Sequence, residues 1–146
     1  MILIVDDDDS VREMLRRVLV SEGYAVATAA DGAQALKIAS GGDVDLVLLD
    51  LNMPAMSGWD TFERLTRENP SLAVIVITAR SSQLVMAEGA GVGALLEKPL
   101  DFPTLLRTVT ELLAESPATR LARLSGKSSV YYYKAKPGKS RSKSTL

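Results

Sequence analysis

Four short apolar runs along the chain each end at a polar residue. The runs cover residues 2–5, 46–49, 73–77 and 94–96, and the polar residues that follow them are Asp6 and Asp7, Asp50, Thr78, and Glu97 leading to Lys98. Continuous apolar runs of this length are typical of strands that are buried on both faces of a parallel sheet. Because ligands of open α/β sheets bind outside the carboxyl ends of the strands, we expect these polar residues to gather at one edge.

Between these runs, apolar positions recur at the spacing of amphipathic helices. The pattern predicts helices that begin near Ser10, Asp31, Gly58 and Asp101. Ser10 heads a capping-box pattern, and Asp31 and Asp101 are placed to cap their helices. Residues 24–29 are typical of a further strand. The alternation of strands and helices predicts a doubly wound α/β fold, with a five-stranded parallel sheet and five helices on its two faces.

The composition narrows the chemistry that the site can use. The 146 residues contain no Cys and no His, which excludes disulfides, thiolate or imidazole metal sites and phosphohistidine chemistry within them. A metal ion must therefore be held by oxygen ligands, which is typical of Mg²⁺. No apolar run approaches the length of a membrane span, and Met1 leads into the first strand without a signal-peptide pattern. We therefore predict a cytoplasmic protein.

Charge divides the chain into two parts. Residues 1–116 carry all 18 acidic residues and nine basic ones, whereas residues 117–146 carry eight basic residues and no acidic one. We predict a folded domain over 1–116 and a basic, disordered tail over 117–146, with a turn or two of helix near residues 118–124. A sharper alternative is that the tail is an arm that contacts nucleic acid, an anionic surface or the acidic domain itself.

The run from Asp6 to Asp9 has two explanations. Asp8 and Asp9 suit the start of a helix, where the helix dipole stabilises negative charge. Asp6 and Asp7 lie at the end of a buried strand, where two adjacent like charges are costly unless a cation offsets their repulsion. Asp50, Thr78 and Lys98 taken singly are ordinary structural residues. Their combination at neighbouring strand ends favours a site for a metal ion and a phosphoryl group.

These features together resemble the receiver domain of two-component response regulators. The resemblance covers about residues 1–116 and rests on four motifs, which are Val5-Asp6-Asp7, Asp50 followed by Pro54 and Gly58, Thr78-Ala79, and Lys98-Pro99. It implies a flavodoxin-like sheet with the strand order 2-1-3-4-5. It also implies a cis peptide bond between Lys98 and Pro99, which proline permits at a cost of about 1 kcal/mol.

The resemblance implies a role for each matching residue. Asp50 is the nucleophile that accepts the phosphoryl group, and Thr78 and Lys98 assist the transfer. Asp6, Asp7, Asp50 and the backbone carbonyl of Asn52 hold Mg²⁺. The donor is a sensor histidine kinase or a histidine phosphotransfer domain, and the recipient of the signal is an unidentified downstream protein. The chain is then a single-domain response regulator, a signalling module and not an enzyme, for which a dimer is one possible assembly.

Two departures from the family pattern bear on how the signal leaves the site. The family has Tyr or Phe three residues before the lysine, where this chain has Leu95. Between Thr78 and Lys98, residues 84–86 predict a short helix, but the glycines at 89, 91 and 93 interrupt its pattern. The output step is therefore less clearly marked than the phosphorylation step.

Two other functions remain open at this point. A phosphatase of the haloacid-dehalogenase type also has an Asp nucleophile after an apolar strand, and Asp6-Asp7-Asp8 contains the required Asp-x-Asp pattern. That family needs a further acidic pair late in the chain, where this sequence offers Glu97 and Asp101. A receiver-like scaffold that docks proteins without being phosphorylated is the second alternative.

Overall fold

A parallel sheet forms the centre of the fold. The computed structural model describes residues 1–52, 58–79, 91–126 and 131–133. The strands are β1 (Ile2–Val5), β2 (Val26–Ala29), β3 (Leu46–Asp50), β4 (Ala73–Thr78), β5 (Ala94–Glu97) and β6 (Tyr131–Tyr133). They pair in the order β2-β1-β3-β4-β5-β6, and every pair is parallel. The predicted order 2-1-3-4-5 is confirmed, and β6 extends the sheet beyond β5.

The helices of the described residues are α1 (Asp9–Ser21), α2 (Gly32–Ala39), α3 (Gly58–Glu68), α4 (Phe102–Leu113) and α5 (Pro117–Leu124). The short helix predicted around residues 84–86 lies outside the described residues. Within the described ranges, no helix is long and apolar enough to span a membrane.

Side chains alternate between the two faces of the sheet, as the period of a strand requires. From β1, Ile2 and Ile4 pack with α1 and α4, whereas Leu3 and Val5 pack on the other face with α2 and α3. Each fully buried side chain of this size stabilises the fold by about 1.5–3 kcal/mol. Because helices cover both faces of the sheet, the strands are continuously apolar. Polar side chains that could form a site lie at the ends of the strands.

Three helices begin with an aspartate cap. Asp31 accepts a hydrogen bond from Gln34 N at 2.8 Å and Asp101 accepts one from Thr104 N at 3.2 Å, which confirms both predicted caps. The predicted cap at Ser10 is wrong, because Asp8 accepts from Ser10 N and Val11 N and the helix begins at Asp9. A carboxylate at Asp8 serves the free N–H groups and the helix dipole at once.

Within residues 117–146, the turn or two of helix predicted near residues 118–124 is confirmed, and a short strand that was not predicted follows it. Residues Pro117–Leu124 form α5, and residues Tyr131–Tyr133 form β6. From the composition, the basic residues of this region were expected to be exposed to solvent. In the structure Arg123 is buried against Glu115, and Leu124 packs on the core. A charge that finds a buried partner does not follow the compositional rule for disorder.

Candidate functional site

Four neighbouring strands deliver polar side chains to one edge of the sheet. Asp6 follows β1, Asp50 ends β3, Thr78 ends β4 and Lys98 follows β5. Asp6 and Asp50 are each only 2% exposed, and Thr78 is fully buried. Strand register places Asp50 opposite Ile77 and Thr78 opposite Glu97, so these ends lie side by side. The edge that the sequence predicted is present.

A tight turn fixes Asp6. Its Oδ1 atom accepts a hydrogen bond from Asp8 N at 2.9 Å, and its carbonyl oxygen accepts one from Arg12 Nη1 at 2.7 Å. Asp8 then caps α1, so β1, the turn and the helix hold one another in place. Asp7, between these two fixed residues, is exposed. The adjacent acids therefore present one buried and one accessible carboxylate.

Asp50 lies beside the site lysine. Lys98 Nζ is 3.6 Å from Asp50 Oδ1, and Asn52 N donates to the same oxygen at 3.1 Å. Behind this loop, a Cβ atom on Gly58 would lie 2.6 Å from Leu51 Cα and 3.1 Å from the Asp50 carbonyl oxygen. Only glycine permits this approach of α3 to the end of β3. The rest of the turn, including Pro54, lies outside the described residues.

The carboxylates form an oxygen-only cluster suited to a hard cation. One oxygen atom from each of Asp6, Asp7 and Asp50 lies within 4.8 Å of the others. Burial raises the pKa of the Asp6 carboxyl; the Asp8 N–H and Lys98 oppose this rise, while the charges of Asp50 and Asp7 add to it. A cation bound beside these like charges would favour the ionised form of Asp6. Carboxylate oxygens at this spacing fit Mg²⁺.

The chain around Lys98 is held by the neighbouring strand. Lys98 N donates to the Thr78 carbonyl oxygen at 2.8 Å. The peptide bond between Lys98 and Pro99 is cis, as the resemblance implied. Leu95 is fully buried and packs in the core cluster of the α2 and α3 face. At this position the structure therefore has a core residue.

At this edge, Arg12 was not singled out in the sequence, and Glu97 was named only as the residue before Lys98 and as a candidate acid of the phosphatase alternative. Arg12 holds the Asp6 carbonyl, although its place within an amphipathic helix marks it as an ordinary surface residue. Glu97 is 5% exposed and lies opposite Thr78 in register. A charged residue at the end of a continuously apolar strand is a pattern that indicates a site at the strand end.

The fold and the site define a doubly wound α/β protein with a cluster of carboxylates and a lysine at the carboxyl edge of its sheet. The family model described as response regulator receiver domain matches residues 2–110 of the chain. The chain belongs to this family, and it is homologous to response regulators of two-component systems. Domains of this family are signalling domains.

Curated relatives are longer than this chain. The transcriptional regulatory protein GlrR of Escherichia coli K12 is 39% identical over 121 residues, which cover 81% of this chain and 27% of GlrR. The response regulator MprA of Mycobacterium sp. strain KMS is 40% identical over 114 residues, which cover 77% of this chain and 50% of MprA. The chain thus spans about a quarter to a half of the length of these relatives.

Solved structures show the same fold. The chemotaxis protein CheY4 of Vibrio cholerae aligns with a TM-score of 0.72 and 30% identity, covering 76% of this chain and 96% of CheY4. TrrA of Thermotoga maritima aligns with a TM-score of 0.71 and 33% identity, again covering 76% and 96%. The TrrA structure is a complex with Mg²⁺ and beryllium fluoride. That ligand pair belongs to TrrA.

Proposed function

We propose that Asp50 accepts a phosphoryl group from the phosphohistidine of a sensor histidine kinase or a histidine phosphotransfer domain, in a reaction that requires Mg²⁺. The observation that carries the proposal is the setting of Asp50. This carboxylate is buried, and its Oδ1 atom lies 3.6 Å from the Lys98 ammonium. One of its oxygen atoms lies within 4.8 Å of an oxygen atom from each of two further carboxylates. The 146 residues contain no His, so the donor histidine lies outside them.

The reaction is a transfer between two side chains. A carboxylate oxygen of Asp50 forms a bond to phosphorus while the bond from phosphorus to the donor imidazole nitrogen breaks, and the electron pair returns to the imidazole. Catalysis of this kind relies on positioning and on neutralising the charge of the phosphoryl oxygens. Lys98 supplies one positive charge, and the Thr78 hydroxyl supplies a hydrogen bond.

Asp6, Asp7, Asp50 and the carbonyl oxygen of Asn52 are the ligands that we propose for Mg²⁺. When bound, the cation offsets the repulsion among the carboxylates and neutralises charge on the phosphoryl oxygens. The Asp8 N–H and Arg12 keep Asp6 oriented toward this site. The donor set is therefore prepared by backbone contacts that are already in place.

The output of the domain is a change in its contacts with other proteins. Occupation of Asp50 draws Lys98 and Thr78 toward the new group and shifts the balance between two conformations of the strands that carry them. The recipient is a downstream protein in a two-component pathway, and we place the reaction in the cytoplasm, where a kinase domain meets its regulator.

One experiment tests this proposal against its rivals. The protein is incubated with Mg²⁺ and acetyl phosphate, and the adduct is located by mass spectrometry of borohydride-trapped peptides. Label on Asp50 that is absent from Asp50→Asn supports the receiver reaction. Label on Asp6 supports the phosphatase of the haloacid-dehalogenase type. Wild-type protein that takes no label supports the docking scaffold and overturns the proposal.

A further inference from the structure

The chain covers the edge of β5 with its own strand. Residues Tyr131–Tyr133 pair in parallel with β5, with Tyr131 opposite Ala94 and Tyr133 opposite Leu96. Without this pairing, β5 would present a row of free N–H and C=O groups. Such an edge is a template on which an extended segment of another chain can add as a strand. The site lysine, Lys98, directly follows this strand.

Helix α5 is anchored firmly before β6 begins. The Arg123 and Glu115 side chains form an ion pair, and they are only 3% and 10% exposed. Arg120 Nη1 donates to the Ser71 carbonyl oxygen at 3.1 Å, and its Nη2 donates to the Leu112 carbonyl oxygen at 2.8 Å. These contacts join α5 to the start of β4 and to the end of α4.

Gly91 fits against the last turn of α5. A Cβ atom at this residue would lie 2.7 Å from both the Arg123 carbonyl oxygen and Leu124 Cα. Its φ of +82° also lies in the left-handed region, which side chains disfavour. The chain just before β5 is therefore shaped to receive α5, and α5 is a fixed part of the fold.

Strand β6 is short and lies at the margin of the sheet. Its backbone forms a three-residue ladder with β5, and α5 is held by a buried ion pair and by side-chain hydrogen bonds. Short edge strands are among the first elements to open locally. Because α5 stays in place a few residues upstream, β6 remains close to β5 and can return to it rapidly.

The end of β5 connects this ladder to the site. Leu96, opposite Tyr133, is followed by Glu97 and then by Lys98. Lys98 N is held by the Thr78 carbonyl oxygen, and Lys98 Nζ lies 3.6 Å from Asp50. A group on Asp50 that attracts Lys98 therefore acts on the strand two residues beyond the last β6 pair.

We propose that β6 is a built-in competitor for the edge of β5, which covers this edge while Asp50 is free and leaves it when the site is occupied. The inference rests on the proposed function, because occupation of Asp50 is the signal that releases β6. The released state exposes an edge to which an extended peptide segment can add. In the resting state, the strand of the chain itself excludes that partner.

Hydrogen–deuterium exchange on the full chain tests the release. We compare apo protein with protein loaded with Mg²⁺ and beryllium fluoride, and we follow loading by the fluorescence of Trp59, the single tryptophan. Amides of residues 131–133 and of β5 should exchange about tenfold faster in the loaded protein, while those of α5 stay unchanged. Equal protection of residues 131–133 in the two states overturns the inference.

A variant provides the reverse test. Alternate N–H groups of a strand point toward its neighbour, so Tyr132→Pro with Tyr133→Pro always removes one donor from the ladder. Coupling is reciprocal, so this variant should bind Mg²⁺ and beryllium fluoride about tenfold more tightly than wild type. The control carries Ser140→Pro with Ser142→Pro, beyond β6, and should match wild type.

The outcomes separate the two proposals. Loading of wild type with equal affinities in both proline variants overturns the β6 inference and leaves the proposed function standing. A wild-type protein that does not load overturns both. Higher affinity in the Tyr132→Pro, Tyr133→Pro variant alone, together with faster exchange of residues 131–133 in loaded wild type, supports the competitor role.

Discussion

Three carboxylates gather at the carboxyl edge of the sheet, whereas at the other end of the strands a buried arginine pairs with a glutamate. One carboxylate oxygen from each of Asp6, Asp7 and Asp50 lies within 4.8 Å of the others, and burial raises the pKa of Asp6. Where β4 and β5 begin, Arg123 lies against Glu115 in a buried ion pair. In the first arrangement burial disfavours the charged form of Asp6, whereas the second joins α5 to the residues that follow α4. The molecule is therefore stabilised away from its site.

The largest effect is expected from breaking the opposite edge. Arg123→Met leaves Glu115 buried without its partner, which should lower the free energy of unfolding by about 3–5 kcal/mol. Replacing both residues, with Arg123→Met and Glu115→Met together, should restore most of this loss. Urea denaturation at pH 7 measures both variants. A double variant no more stable than Arg123→Met would contradict the pairing.

A second test at that edge separates a steric clash from backbone strain. Gly91→Ala places a methyl group 2.7 Å from backbone atoms of Arg123 and Leu124, at a φ of +82°. Gly42 has a similar φ of +87° with no atom within 4 Å of its would-be Cβ. Gly42→Ala should cost about 1–2 kcal/mol from backbone strain alone. Gly91→Ala should cost about 1–3 kcal/mol more, because it also overpacks the contact with α5.

Urea denaturation of these two alanine variants gives the comparison directly. Equal losses of unfolding free energy would show that α5 does not press on Gly91, and the described contact would then be wrong. A larger loss at Gly91 shows that the chain before β5 is fitted to α5.

At the carboxyl edge, removing a charge should stabilise the protein. A carboxyl group whose pKa is raised in the folded state has less favourable ionisation there than in the unfolded chain. The resulting loss of stability is absent at pH values below the ordinary pKa of 3.8 and is fully present at pH values above the raised pKa. Asp6→Asn should therefore raise the unfolding free energy at pH 7 by about 1 kcal/mol without Mg²⁺.

The pH and Mg²⁺ dependence of stability provide the check on Asp6. The advantage of Asp6→Asn should vanish as the pH falls toward 3.8, and added Mg²⁺ should stabilise wild type more than the variant. An Asp6→Asn protein that is less stable than wild type at pH 7 in the absence of Mg²⁺ contradicts the account of this edge.

The smallest effect belongs to a pairing of charges on the surface. Glu13 in α1 accepts hydrogen bonds from Arg16 and Arg17, which lower its pKa to about 2. The stabilisation is present above the ordinary value of 4.5 and is lost as the pH falls toward about 2. Glu13→Gln should lower Tm slightly at low salt, and the difference should disappear at about 1 M salt through screening. A loss that survives high salt would point to packing instead.

The placement of the polar residues at the strand ends was predicted from the sequence better than the structure of residues 117–146. Asp6, Asp50, Thr78 and Lys98 were found because strand polarity alone brings residues that end parallel strands to one edge. The predicted order 2-1-3-4-5 followed from the family resemblance and is confirmed. The roles of these four residues in phosphorylation stay predictions.

Two of the missed features depend on contacts that no local sequence pattern marks. Glu115 and Arg123 look like ordinary charges in the sequence, and only their burial against each other makes them structural. Pairing of β6 with β5 likewise needs α5 to bring residues 131–133 to that edge. The cap at Asp8 was missed for a local reason, because four consecutive acids offer several equivalent starts for α1.

The most direct measurement is the intact mass of the protein after incubation with acetyl phosphate, in Mg²⁺ and in excess EDTA. Wild type should gain one phosphoryl group in Mg²⁺ and none in EDTA, and Asp50→Asn should gain none in either. A phosphoryl group on wild type in EDTA, or on Asp50→Asn in Mg²⁺, would contradict the assignment of this edge as the site of metal-dependent transfer to Asp50.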